Sequence, residues 1–122
     1  MSQMLLSINP EHVENILLGK KKFEFRKVRC RSDVKTIIIY ATSPIMRVVA
    51  EAEIIGIIED DPNSVWRLTS EYAGISRGFY DRYFEGKSKA VAYCLGEVER
   101  YIEPKRLSDF GISFAPQSFV YV

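Results

Sequence analysis

The sequence predicts an α+β domain in which a mixed or antiparallel β-sheet curls into a small barrel and short helices are inserted between the strands. Five or six segments are apolar and rich in β-branched or aromatic residues, as strands commonly are. Helix-capping signals separate some of these segments, and an apolar segment stands at each end of the chain. An open α+β sandwich is the alternative arrangement of the same elements.

The length of 122 residues predicts a single domain over residues 1–122, with an ordinary apolar fraction of 47%. Its apolar runs are interrupted by charges and fall short of the roughly 18 residues that a membrane helix needs. The first residues lack the basic and apolar pattern of a secretory signal. We therefore expect a cytoplasmic location, no membrane partner, and Cys30 and Cys94 as free thiols.

Clear local signals predict the first elements. Residues 4–8 are a short strand, and Asn9 and Pro10 then suit the N-cap and first position of a helix that Gly19 would end. Residues 22–26 alternate polar and aromatic side chains, which is typical of a strand.

The later elements follow from similar patterns. Acid caps before Pro62 and a serine cap at Ser76 predict two further helices. Glycines 74 and 86 would end them. The remaining strands are predicted at residues 36–40, 48–58 (with a bulge at Gly56), 90–101 and 119–122.

Charge is unevenly distributed along a chain whose net charge is only +1. Eight basic residues stand against two acidic ones between positions 19 and 35, whereas positions 51–61 carry five acidic residues and no basic one. Such a chain can present a cationic face to an anionic ligand. The alternative is that both charged surfaces are merely solvated or pair with each other.

The basic region contains the spaced motif Gly-x-Lys-x-x-Glu-x-Arg, formed by Gly19, Lys21, Glu24 and Arg26. This motif resembles the signature of the ASCH domain, a branch of the PUA-like β-barrel superfold. Residues 5–11 and 115–122 also resemble the leader and the terminal strand of small stand-alone ASCH proteins. The resemblance thus covers essentially the whole chain.

The resemblance implies a cleft in which the motif faces RNA, a nucleotide or a modified nucleoside. Some small ASCH proteins remove the acetyl group from N4-acetylcytidine, and some are linked to ribonuclease activity. In the deacetylating members, a lysine at the position of Lys21 is the proposed nucleophile. It acts with a threonine where this chain has Glu24, and with a downstream glutamate for which Glu71 is a candidate.

The chemistry of the motif side chains suits either binding or catalysis. Lys21 can hold a phosphate or, when desolvated, attack a carbonyl, and Glu24 would then be the general base. Arg26 offers a planar fork to a phosphate or a base edge. Strict strand alternation places Lys21 and Glu24 on opposite faces, so their convergence requires a bend after Gly19. Alternatively, Glu24 and Arg26 form a purely structural ion pair.

Further residues are candidates for the same cleft. The predicted ligand contacts beyond the motif are Tyr40, Ser43, Gln117 and Ser118. The predicted nucleic-acid rim comprises Lys20, Lys22, Lys27, Arg29 and Arg31. Tyr80, Tyr83 and Phe84 would either stack on bases or pack in the core.

One histidine and two distant cysteines make no metal-ligating set, and no glycine-rich phosphate loop is present, so we expect no metal and no cofactor. The function predicted first is an RNA- or nucleotide-binding module with a cationic cleft. The alternatives are a small hydrolase acting on acylated nucleosides, a ribonuclease, and a protein-binding regulatory domain. The sequence leaves open whether Lys21 and Glu24 share one pocket.

Overall fold

A computed structural model describes residues 2–122, and its centre is a six-stranded mixed sheet with three short α-helices. The strands are β1 (Gln3–Ile8), β2 (Phe23–Arg26), β3 (Thr36–Ala41), β4 (Arg47–Asp60), β5 (Ala90–Lys105) and β6 (Phe119–Tyr121). The helices are α1 (Pro10–Leu17), α2 (Pro62–Thr69) and α3 (Arg77–Tyr83). Within residues 2–122, no helix has the length and apolarity to cross a membrane.

The strands lie in the order β2-β5-β4-β3-β1-β6, so β2 and β6 are the two edges of the sheet. β1 and β3 run parallel, and the other pairs are antiparallel. The sheet curls into a half-barrel, and the end of β2 reaches the end of β1, where Arg26 Nη2 donates to the carbonyl of Ser7 at 2.9 Å. The predicted α+β class with a curled sheet is therefore confirmed, and the open sandwich is not formed.

Strands β1 and β3 are buried on both faces, which explains their nearly uninterrupted apolar sequences. Leu6 and Ile39 face the main core cluster, where β1 and β3 pack with α1 and β5. Leu5 and Ile38 face a separate cluster beneath the C-terminal segment. A third cluster lies under α2 and α3, around Tyr80.

The capping predictions agree with the observed helix starts. Asn9 Oδ1 accepts from the amide of Glu11 at 2.9 Å, and Asp61 and Ser76 cap α2 and α3 in the same manner. Gly19 follows α1 with φ +77°, a backbone conformation that favours glycine. A register shift between β4 and β5 falls between Ile54 and Gly56, as the bulge prediction required. Cys30 and Cys94 are free thiols.

Candidate functional site

The chain turns sharply between α1 and β2. The amides of Lys20 and Lys21 both donate to the Asn15 carbonyl, at 2.9 and 3.0 Å. The amide of Lys22 donates to the Tyr72 carbonyl at 2.8 Å. Because β2 begins only at Phe23, Lys21 precedes the pleated strand, and strand alternation does not apply to it. The bend that the sequence required after Gly19 is therefore present.

Lys21 is almost completely buried, with 3% of the residue exposed. Its Nζ donates to the Ala73 carbonyl at 3.0 Å and lies 4.8 Å from the centre of the Phe25 ring. Nζ also lies 3.8 Å from Oε1 of Glu24. Burial lowers the pKa of Lys21 below its ordinary value, and the Glu24 carboxylate opposes this shift.

Gly74 makes the burial of Lys21 sterically feasible. A Cβ at position 74 would overlap the Lys21 side chain, and Gly74 also has φ +68°. Its carbonyl accepts a hydrogen bond from Asn15 Nδ2 at 3.3 Å. The segment between α2 and α3 therefore closes over Lys21 only because residue 74 has no side chain.

Glu24 divides its two carboxylate oxygens between two cations. Oε1 faces Lys21, whereas Oε2 accepts from Arg26 Nε at 3.0 Å and from Nη2 at 2.8 Å. Glu24 is itself buried. The structure therefore contains the Glu24–Arg26 ion pair, and it also brings Lys21 to the same carboxylate.

These three side chains line a hollow of about 130 Å³, which we call the inner pocket. Its remaining walls combine apolar and aromatic groups with two polar residues of the α1 region. The residues that line this pocket but not the adjacent hollow are Ile8, Lys21, Glu24, Phe25, Arg26 and Tyr83. The residues shared with the adjacent hollow are Asn9, His12, Ile75 and Phe79.

The adjacent hollow, which we call the outer groove, is wider, at about 680 Å³. Beyond the four shared residues it is lined by Glu11, Lys20, Glu71, Gly74, Ser76 and Arg82. Glu71, the candidate for the downstream glutamate, thus lies in the outer groove and does not line the inner pocket. The two cations of the groove, Lys20 and Arg82, are both exposed.

The four aromatic residues of α3 and its C-cap lie on two different faces of the helix. Phe79 and Tyr83, one helical turn apart, line the inner pocket. Tyr80 and Phe84 are buried against each other and belong to the core under α2 and α3. Tyr80 and Phe84 therefore take the packing role that the sequence left open, and Phe79 was not singled out from the sequence.

His12 also was not placed in this site from the sequence. Its ring packs edge-on against Phe79, with centroids 5.2 Å apart. Nδ1 is enclosed and finds no hydrogen-bond partner within residues 2–122. Burial, followed by the charge of Lys21, lowers the pKa of His12 below its ordinary value. The sequence signal was the position of His12 in the first turn of the predicted helix that precedes the motif, but that this turn lines the same pocket as β2 is visible only in the structure.

The structure does not bring the other predicted ligand contacts into the inner pocket. Tyr40 is buried with Leu5 and Ile38, because it lies on the face of β3 that points away from the main core. Ser43 is exposed in the turn after β3. Gln117 and Ser118 are also exposed, but their segment pairs with β1: the Ser7 amide donates to the Ser118 carbonyl at 3.1 Å, next to the carbonyl that Arg26 contacts.

The five residues of the predicted basic rim do not lie together on one surface, because each makes different contacts. Lys22 and Lys27 place their Nζ atoms over the rings of Tyr72 and Tyr83, at 4.3 and 4.4 Å. Arg29 forms an exposed ion pair with Glu59. Arg31 approaches Asp33 and stacks on Tyr121. Lys20 alone among the five rim residues lines the outer groove.

The fold is that of a small α+β half-barrel with a polar and aromatic pocket between its first helix and its second strand. The family model of the ASCH domain matches residues 6–102, which is most of the chain. The chain belongs to the ASCH domain family.

A solved structure and a curated protein that are both named for the ASCH domain agree with this assignment, and a further curated protein is also similar to the chain. The crystal structure of ASCH from Zymomonas mobilis superposes with a TM-score of 0.88 at 31% identity, over 98% of this chain and 87% of that one. A curated protein of the same organism, named an ASCH domain-containing ribonuclease, is 32% identical over 93% of this chain and 79% of its own length. The large ribosomal subunit protein uL22 of Ureaplasma parvum is 30% identical over 98% of this chain. This chain spans only 39% of that relative's length.

Proposed function

We propose that this chain binds single-stranded RNA and holds one nucleobase in the inner pocket. The observation that carries the proposal is that Lys21, Glu24 and Arg26 line one pocket together with the rings of Phe79 and Tyr83. Aromatic rings stack on bases of any sequence, and paired polar groups read base edges. The Zymomonas mobilis relative named a ribonuclease supports RNA as the ligand class.

The size of the inner pocket favours a single planar base. Its 130 Å³ lies below the roughly 300–1,000 Å³ of pockets that enclose a drug-sized ligand. Glu24 would accept from an exocyclic amino group, and Arg26 would donate to a base carbonyl. Two cations against one carboxylate leave the motif with a net positive charge, which attracts the negatively charged strand toward the pocket.

In this proposal, the phosphates of the RNA lie in the outer groove. Lys20 and Arg82 are its two cations, and both are free to move toward a ligand because they are exposed. Glu11 and Glu71 line the same groove and would repel phosphates elsewhere along it. About two phosphate contacts give a slope of log affinity against log salt near −1.4 for a single strand.

Binding of a labelled mixed-sequence RNA, measured by fluorescence anisotropy over a range of salt, tests the proposal. Phe79→Ala should weaken binding by about 1–3 kcal/mol, because it removes a stacking surface that is 41% exposed and not needed for the core. Lys20→Ala and Arg82→Ala should each reduce the salt slope by about 0.7. The matched control is Phe114→Ala, since Phe114 is 76% exposed and lies outside both hollows.

Equal affinities of the wild type, Phe79→Ala and Phe114→Ala would exclude the inner pocket as the binding site. Failure of the wild type to bind any RNA would remove the proposal altogether.

RNA cleavage is the second candidate function. It is favoured by two side chains with lowered pKa, His12 and Lys21, which line the same pocket as the Glu24 carboxylate. Acetyl hydrolysis is less favoured, because Glu24 stands in place of the expected threonine and is paired with Arg26. Incubation with mixed RNA and with N4-acetylcytidine separates the two reactions. Turnover that persists unchanged in both Lys21→Ala and His12→Phe would identify a contaminating enzyme.

A further inference from the structure

The wall between the inner pocket and the outer groove has a composition of its own. Asn9, His12, Ile75 and Phe79 line both hollows. A ligand that occupied the two hollows at once would have its middle part against these four residues.

A bound nucleotide has such a middle part. With the base in the inner pocket and a phosphate at Lys20 or Arg82 in the outer groove, the ribose lies against the shared wall. The side chains of Ile75 and Phe79 can offer it only apolar contact, so polar side-chain contacts must come from Asn9 or His12. The Asn9 side-chain oxygen already caps α1 through the Glu11 amide.

His12 has the hydrogen-bonding capacity that this position needs. Nδ1 is enclosed and lacks a partner within the described chain, which leaves Nε2 as the ring nitrogen available to a ligand. Burial and Lys21 lower the pKa of His12, so the imidazole is neutral near pH 7. A neutral imidazole can donate or accept at Nε2, and a ribose 2′-hydroxyl can also do both.

We propose that His12 contacts the ribose 2′-hydroxyl, so that this chain prefers RNA to DNA of the same sequence. This inference rests on the proposed function, because it requires a base in the inner pocket and a phosphate in the outer groove. The sugar is then a second recognised group, and His12 is the residue that discriminates ribose from deoxyribose. His12 acts here in ligand selection, whether or not the chain cleaves RNA.

The test compares the affinities of matched RNA and DNA oligonucleotides for the wild type and two variants. The wild type should bind RNA up to about tenfold more tightly than DNA, the fold-change expected when one hydrogen bond is lost. His12→Phe keeps the ring packed on Phe79 and should bind both oligonucleotides as the wild type binds DNA. His12→Gln, which retains a donor and an acceptor, should restore part of the preference.

Glu14→Gln is the matched control, since Glu14 lies exposed on α1 outside both hollows, and it should keep the full preference. Equal RNA and DNA affinities of the wild type would overturn the role of His12 and leave RNA binding in place. A full preference for RNA in His12→Phe would do the same. If the wild type bound neither oligonucleotide, the inference and the proposed function would fail together. Circular dichroism establishes that each variant is folded.

Discussion

Two groups of charged residues lie close together in the sequence, one around β2 and one just after it. The first group is mostly buried, whereas the second is exposed. Lys21, Glu24 and Arg26 form a compact network in which the acid is buried and one carboxylate faces two cations. Arg29 and Arg31 follow within five residues, but each forms an ion pair in which both partners are at least one-third exposed. In the sequence, both groups belong to the same basic stretch.

The difference shows that charge density along a chain does not predict which of its charged residues are buried together and which are exposed. An exposed ion pair contributes little free energy, because water and salt screen it. A buried pair is costly to disrupt, because removing one partner leaves an uncompensated charge away from water. The inner network is therefore the part of the basic stretch whose geometry is fixed, and a fixed geometry is what recognition of a base requires.

The largest expected effect is on stability when the inner carboxylate is removed. Glu24→Ala would leave Lys21 and Arg26 as neighbouring cations without a counter-charge, which should cost about 3–5 kcal/mol of unfolding free energy. Urea denaturation followed by the fluorescence of Trp66 would measure it, because this single tryptophan packs on Tyr80 in the core under α2 and α3.

Glu59→Ala is the control for that experiment. It removes the carboxylate from the exposed Arg29 pair and should cost less than about 1 kcal/mol. Similar losses in the two variants would mean that burial does not distinguish the two groups of charges.

The second effect concerns the glycine that lets the inner lysine be buried. Gly74→Ala combines a positive φ with a Cβ that overlaps Lys21, and should destabilise the fold by about 2–3 kcal/mol. Gly78→Ala is the contrasting change: a Cβ there has ordinary contact distances, and its position in the first turn of α3 should give a gain of at most about 0.5–1 kcal/mol. Thermal denaturation of both variants tests this, and two melting temperatures that shift in the same direction would contradict it.

A smaller effect is the pH dependence contributed by His12. Because its pKa is lowered in the folded chain, the unfolded chain binds more protons as pH falls through the ordinary histidine range. Stability should therefore fall more steeply between about pH 7.5 and about pH 5.5 in the wild type than in His12→Phe. Parallel curves of unfolding free energy against pH for the two proteins would show that His12 is not held neutral by its surroundings.

The smallest effect is expected at the outer arginines. Arg29→Ala and Arg31→Ala should change RNA affinity by less than about twofold, since both guanidinium groups already lie near carboxylates. Anisotropy titrations at two salt concentrations test this. If either change lowered the salt slope by about 0.7, that arginine would be in contact with phosphate. RNA binding would then not be confined to the inner pocket and the outer groove.

The local features of the fold were predictable from the sequence, because local chemistry determines them. Asn9, Asp61 and Ser76 cap their helices through residues two or three positions away. Gly19 adopts the positive φ that a helix-ending glycine favours. The continuous apolar runs of β1 and β3 fit the burial of both their faces.

The candidate site was predictable only in part, because its geometry depends on contacts between distant residues. The motif indicated Lys21, Glu24 and Arg26, but the burial of Lys21 beside the other two depends on Gly74, which is more than fifty positions from Lys21. The pairing of Arg29 with Glu59 likewise joins residues thirty positions apart. Helical periodicity predicts that Phe79 and Tyr83 lie on the same face of α3. It does not predict that this face points toward the pocket.

The most direct test of the central claim is an NMR titration of the wild-type chain with a short single-stranded RNA. If a base enters the inner pocket, the largest shift changes should fall on His12, Arg26, Phe79 and Tyr83, with smaller ones at Lys20 and Arg82. Changes confined to Arg29, Arg31 and their acidic neighbours, with His12 and Phe79 unmoved, would contradict the claim.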